Sequence, residues 1–267
     1  MTNDVKAGLG VLGGILGLAA IGWIGLKIPP HNYPYPSRKT EEIGNFTLPD
    51  DLPDPVSRHF LSALGITPPR MKTAVVWGHG YYKIAGFWMP VRYRTYFKDG
   101  CCYIRETQIT WFGFPFFKRT HSYRNGLAFC KASGLFPSYT TGEETKQSNL
   151  LSMWAESMWM PAILVAEQAC RWESIDEVTA WLIISSEDGD EPILTRFNPK
   201  SGLIEEVIAW RHRRLGSCKT LWRAIYSHWK PYHGLLLPGE IITSWEDSGA
   251  YAVFKAQGVE FNPDISV

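Results

Sequence analysis

The sequence predicts a mainly β (α+β) protein. We expect a strongly curved antiparallel sheet of about ten strands with a helix inserted across its concave face, plus one N-terminal transmembrane helix. Three observations predict this. Residues 7–26, AGLGVLGGILGLAAIGWIGL, carry no charge over the length a helix needs to cross a hydrocarbon core. Beyond them, apolar and polar residues alternate with period two in runs joined by short turns. Aromatic content is high, with Trp 12, Tyr 12 and Phe 13, which suits pleated, half-buried surfaces and also lined cavities.

The expected organisation is an anchor over residues 1–28, a Pro-rich spacer over 29–47 and one domain over 48–267. A cleaved signal peptide would need a basic leader, a shorter apolar run and a small-residue cleavage site. Here only Met1-Thr2-Asn3-Asp4-Val5-Lys6 precedes the run, which ends in Trp23, Ile24 and Leu26, so a retained helix is expected. Gly10 with Gly14, and Gly13 with Gly17, have the spacing that lets two membrane helices approach closely, although glycine is common in such helices anyway. Pro29, Pro30, Pro34 and Pro36 predict an extended spacer holding the domain roughly 25 Å from the bilayer. Lys27, Arg38 and Lys39 follow the helix and only Lys6 precedes it, which leans toward a cytoplasmic domain. Five cysteines, none in a CxxC pair, lean the same way because they do not resemble a disulfide framework.

Within the domain, Asp54-Pro55 opens a short helix that Gly65 closes, with Val56, Phe60 and Leu64 on one face. Val91, Tyr93, Thr95 and Phe97 alternate with Arg92, Arg94 and Tyr96 as a half-buried strand. Residues 101–111 pair back, and residues 116–123 and 127–131 form a hairpin about Asn125-Gly126. Residues 148–166 break the pattern: Leu150, Leu151, Trp154 and Met158 recur at helical spacing until Pro161 stops or kinks the helix. Strands resume over 170–175, 179–185, 193–197, 203–213, 220–229, 239–245 and 251–260.

Several segments carry a resemblance. They are Leu52-Pro53-Asp54-Pro55-Val56-Ser57-Arg58, Trp154-Ala155-Glu156-Ser157-Met158-Trp159-Met160-Pro161, Arg171-Trp172-Glu173-Ser174-Ile175-Asp176, Phe197-Asn198-Pro199-Lys200-Ser201-Gly202-Leu203 and Lys219-Thr220-Leu221-Trp222. Together they are similar to an uncharacterised family of bacterial membrane-associated proteins, a domain of unknown function, over about residues 48–265. The resemblance implies a half-barrel like that of the lipoprotein carriers LolA and LolB, with a helical lid over an apolar cleft. It implies no catalytic residue.

Candidate sites follow from residue type. Trp154, Met158, Trp159 and Met160, with Trp88 and Trp111, either line a lipid-sized pocket or fill the core. Glu156, if it faces the sheet, needs a cation such as Arg94 or Arg105, because a lone buried carboxylate is costly. Arg211, Arg213 and Arg214 either meet anionic headgroups or form a solvated strand end. The histidines show no HxH or HExxH spacing, so no metal is expected, and no GxSxG, P-loop or GxGxxG motif points to catalysis or a cofactor. A net charge of +1 gives no global field for nucleic acid. The expected function is therefore a membrane-tethered, non-catalytic domain that binds an apolar or lipid-like ligand or a membrane partner. The alternative is a structural subunit of a membrane complex, held through its Gly-rich helix.

Overall fold

The computed structural model describes residues 3–34, 40–41, 43–98, 100–134, 137–166, 170–186 and 188–265, with the side chains of residues 3–11 outside that description. Four α-helices are present among them: α1 (Asn3–Lys27), α2 (Asp54–Leu64), α3 (Glu143–Glu156) and α4 (Ile163–Ala166). A 3-10 turn, Ser157–Trp159, links the last two. The first strands are β1 (Thr73–Ile84), β2 (Phe87–Lys98), β3 (Cys102–Trp111), β4 (Phe114–Arg124), β5 (Leu127–Ser133) and β6 (Ser138–Thr140). After the helices come β7 (Cys170–Asp176), β8 (Thr179–Ser186), β9 (Gly189–Phe197), β10 (Ile204–His212) and β11 (Lys219–Ser227). A small hairpin, β12 (Lys230–Tyr232) and β13 (Leu235–Leu237), precedes β14 (Glu240–Trp245) and β15 (Gly249–Phe261).

Thirteen of these strands form one antiparallel sheet in the order β6-β5-β4-β3-β2-β1-β15-β14-β11-β10-β9-β8-β7. Its end strands do not pair, so the sheet stays open. Its curvature follows from what α3 touches. That helix packs on β4 and β5 near one end and on β10 near the other. Strands β5 and β10 stand eight places apart, about 38 Å in a flat sheet. A helix only about 10–12 Å across reaches both because the sheet curls around it. The predicted curved sheet with a helix on its concave face is thus the observed architecture, built from more strands than expected.

Alternation sets the faces. On β2, Val91, Tyr93, Thr95 and Phe97 point inward and are buried, while Arg92, Arg94 and Tyr96 point outward. Asn125-Gly126 turns β4 into β5 with both residues at positive φ, as a type I′ hairpin requires. Asn198 fixes the β9–β10 turn by accepting from the backbone N–H groups of Lys200 and Ser201, each at 2.9 Å.

Helix boundaries differ from expectation for local reasons. In α2, Pro53 occupies the cap and Asp54 is already helical, so Asp54 makes no side-chain cap bond, while Gly65 closes the helix as expected. The inserted helix begins at Glu143 and gives way to the 3-10 turn after Glu156, before the proline at 161 that was expected to end it.

Among the described residues no helix is long and apolar enough to cross a membrane. The spacer also departs from a free arm. His31 N–H donates to the Gly113 carbonyl at 3.1 Å. Arg92 donates to the Asn32 carbonyl at 3.0 Å and Arg94 to the Pro34 carbonyl at 3.2 Å. Tyr33, buried between these two guanidinium groups, donates to Glu106 at 2.9 Å. Residues 29–34 therefore lie along the outer face of β2 and β3. A proline-rich strip has few N–H donors of its own, so its carbonyls are satisfied by arginines already aligned on the sheet.

Candidate functional site

The inner face of the sheet divides along the length of α3. Beneath its C-terminal end the space is filled. Trp154, Met158, Trp159 and Met160 are at most 1% exposed and belong to one continuous core. Trp159 stacks on Tyr93 with centroids 5.8 Å apart and donates its indole N–H to the Pro238 carbonyl at 2.9 Å. These four residues are core, because the curled sheet and α3 close on them from both sides. The lipid-sized pocket they might have lined is occupied by their own side chains.

Glu156 does face the sheet. It forms an ion pair with Arg105, and the two residues are 4% and 5% exposed. The Arg105 guanidinium also stands 4.9 Å over the Phe254 ring. Burial raises the Glu156 carboxyl and Arg105 pulls it part of the way back. Burial likewise disfavours the Arg105 charge, but Glu156 together with Tyr103, Tyr82 and Tyr251 outweighs it, and the guanidinium is held above its ordinary range. Arg94, the other predicted partner, sits on the opposite face and pairs with Glu106 at 2.9 Å. Alternation explains the choice, since Arg94 and Arg105 have opposite inward–outward phases on neighbouring strands.

Toward the N-terminal end of α3 the inner face becomes polar and opens. A cleft of about 480 Å³ lies there. Its walls come from the ends of β1, β6, β10 and β14, the middles of β4 and β5, the start of β15 and the first turns of α3. Asn149 anchors the helix over its floor, donating to the Ser122 and Phe129 carbonyls at 2.8 and 3.0 Å. His121 lies beside it, 3.3 Å from the Asn149 carbonyl oxygen. Burial, then the charges of Arg119 and Arg105, hold the His121 imidazole well below its usual range, so it is neutral.

The cleft is rich in guanidinium and aromatic rings. Arg211, expected at a headgroup contact or a solvated strand end, is instead 5% exposed, because its position on β10 faces inward. Its Nε donates to Ser148 Oγ at 2.7 Å, and its guanidinium lies 4.8 Å over the Trp222 ring and 5.8 Å over Trp245. Arg119, which the sequence reading did not single out, donates through Nε to Cys130 Sγ at 3.2 Å. Arg213 is exposed and contacts Asp247 at 3.3 Å, while Arg214 is exposed on the rim. Trp245 and Tyr251 stack against each other at 5.8 Å along one wall.

Trp88 and Trp111 are not in this cleft. They stand 41% and 44% exposed at the tips of the β1–β2 and β3–β4 hairpins. Both turns are two-residue turns at positive φ, Ala85-Gly86 and Phe112-Gly113, and antiparallel pairing of β2 with β3 brings the two tips to one edge. Ile84, Phe87, Phe114 and Phe116 are exposed at the same edge. The end of α1 docks there: Phe112 N–H donates to the Gly25 carbonyl at 2.9 Å, and the Trp111 indole to the Gly22 carbonyl at 3.1 Å. A side chain at Gly25 would collide with the Trp111 indole and the Phe112 ring. This glycine lies outside the predicted set and is one that a contact of α1 within the chain requires. Nothing lies within 4 Å of the Cβ positions of Gly13, Gly14 and Gly17, and Gly10 falls among residues whose side chains are not described. The described residues hold no group of three or more His, Cys, Asp or Glu side chains arranged to take a metal.

Residues 42–256 match the model of DUF6544, a family of unknown function. The chain belongs to that family. No curated protein matches it. Among solved structures, it is similar to a LolA superfamily protein from Nitrosomonas europaea, with 12% identity over 79% of this chain and 93% of the other, at a TM-score of 0.44. A DUF1329 family protein from Desulfovibrio piger is 11% identical over 74% and 88% of the two chains, with a TM-score of 0.43. A putative outer membrane lipoprotein-sorting protein domain from Vibrio parahaemolyticus is 6% identical over 79% and 91%, with a TM-score of 0.43.

Proposed function

We propose that this DUF6544 protein is a membrane-tethered, non-catalytic domain that rests on a bilayer surface and binds a lipid-like ligand there. One observation carries the reading: the exposed aromatic hairpin tips gather at the end of α1 and share an edge of the sheet with the open cleft. Trp88, Trp111, Phe87, Phe114 and Phe116 form a contiguous apolar margin, and such margins mark interaction sites. Tryptophan suits the membrane interface, where one part of the ring system is wet and another apolar. Lys83 lies 5.9 Å over the Trp88 ring and also lines the cleft, joining the two features. In this reading α1, with residues 3–11 included, enters the bilayer as the anchor. The spacer holds the domain against the helix end rather than at a distance.

The filled core moves the proposed ligand site. With Trp154 and Trp159 closing the space under the C-terminal end of α3, the open space beneath this helix is the cleft at its other end. The test is flotation of the full chain with vesicles of phosphatidylcholine and phosphatidylglycerol. The native chain should float. A Trp88→Ser/Phe114→Ser/Phe116→Ser variant should remain anchored but lose protection of its hairpin tips from hydrogen exchange. A native chain that stays at the bottom of the gradient, or tip exchange indifferent to vesicles, would refute the proposal.

A further inference from the structure

We infer that the cleft at the N-terminal end of α3 is a binding site for a phosphate group, gripped by Arg119 and Arg211, with the rest of the ligand lying along Trp245 and Tyr251. This rests on the cleft being the ligand site, and names what that site recognises.

The two arginines come from β4 and β10, far apart in both sequence and sheet order, and meet at one cleft only because the sheet curls. Both sit at inward positions of their strands, opposite the phase that faces solvent. Each spends its Nε on an uncharged partner, Cys130 for Arg119 and Ser148 for Arg211. Among the described residues, neither makes an ion pair with a carboxylate. A guanidinium removed from water without an anion is costly, and in this protein the neighbouring Arg105 has one in Glu156. Arg211 is the sharper case, since at 5% exposure it has little water with which to satisfy its outer nitrogens.

The lining of the cleft carries more positive than negative charge. Lys83, Arg119, Arg211, Arg213 and Arg214 line it, and Glu144 is its one carboxylate. Glu144 is already turned toward the Gly216 N–H, 3.4 Å away. Two guanidinium groups around one opening can grip the several oxygens of one phosphate at once, more than a single carboxylate offers. Arginine forks also fit the paired oxygens of a phosphate. The flat walls of Trp245 and Tyr251 offer apolar area beside that grip, as an amphiphile requires. A phospholipid headgroup and a soluble phosphate ester both present this chemistry.

The test uses the full chain in a mild nonionic detergent at fixed ionic strength, read by thermal unfolding and titration calorimetry. Two probes are compared with a chloride control: inorganic phosphate, and micelles doped with phosphatidylglycerol or with zwitterionic phosphatidylcholine. The native chain should gain thermal stability with phosphate, with phosphatidylglycerol or with both. Arg119→Gln and Arg211→Gln should each weaken that binding at least tenfold. Without ligand, both variants should unfold no earlier than the native chain, because each removes an unpaired charge. A residue with a purely structural role would give the opposite ligand-free result. Preferential binding of phosphatidylglycerol identifies a headgroup and equal response to inorganic phosphate identifies a soluble phosphate; both uphold the site. No response to either probe, or undiminished binding in the Arg119 variant, overturns it. Phosphate binding by a chain that fails to float would remove the membrane reading alone. Flotation without anion binding would remove this inference alone.

Discussion

The two ends of α3 rest on the same sheet and face opposite problems. At its C-terminal end the helix buries tryptophan and methionine against a closed wall, and the charge there, Glu156, is paired with Arg105. At its N-terminal end the wall opens, and among the described residues Arg119 and Arg211 form no ion pair with a carboxylate. One end has the character of a finished core; the other has the character of half an interaction. The difference teaches that burial of aromatic residues under a lid is not by itself a ligand pocket. The informative sign is charge that the protein has not neutralised for itself.

The comparison can be broken most severely at the filled end. Trp159→Ala should cost about 3–5 kcal/mol, read as a fall in Tm, because the cavity lies within a closed core and its Pro238 hydrogen bond is lost. A cost near zero would mean that this end is as loosely packed as the other. Glu156→Gln should cost about 3 kcal/mol by stranding the Arg105 charge. Replacing both partners together, Arg105→Met with Glu156→Leu, should recover most of that loss. If the double variant is no better than the single one, pairing is not what the carboxylate supplies.

A smaller effect comes from pH. His59, wholly buried in α2, accepts from the Ile204 N–H at 3.2 Å, and burial lowers its pKa to about 3. An unfolded histidine titrates near 6.5, so between these values the unfolded chain binds more protons and stability falls as pH falls. Above about pH 7 the contribution vanishes; at pH 5 it amounts to about 2 kcal/mol lost. His59→Asn should flatten the Tm profile between pH 7 and 5, and an unchanged profile would contradict the assignment. Smallest of all, Arg171→Ala removes exposed, water-screened pairs with Glu173 and Asp190 and should leave Tm unchanged. A fall in Tm would show that the rim of the sheet near β7 contributes more than its exposure suggests.

Much of this fold could be read from period-two patterning and turn residues. Asn125-Gly126 and Asn198 encode their turns locally, and the phase of β2 follows directly from its alternation. The same phase rule was enough to flag Arg119, which alternates with His121 and Tyr123 at inward positions of β4. A charged residue on a buried phase is a signal that the sequence carries openly. That Arg119 and Arg211 share one cleft was not legible. It depends on how tightly thirteen strands curl, which arises from summed packing and not from any local motif. The spacer was misjudged for a similar reason: its prolines specify an extended path, but Arg92, Arg94 and Tyr33 decide what that path lies on. The aromatic hairpin tips were counted with the pocket because tryptophan identity alone does not distinguish a core position from a turn.

The most direct measurement is native mass spectrometry of the full chain released from mild detergent, set beside the Arg119→Gln/Arg211→Gln double variant. The expected spectrum shows the native chain carrying a phosphate-bearing adduct that the double variant has lost while keeping its folded charge-state distribution. A native chain with no adduct, or a double variant that retains it in full, would contradict the assignment of the open end of α3 as the binding site.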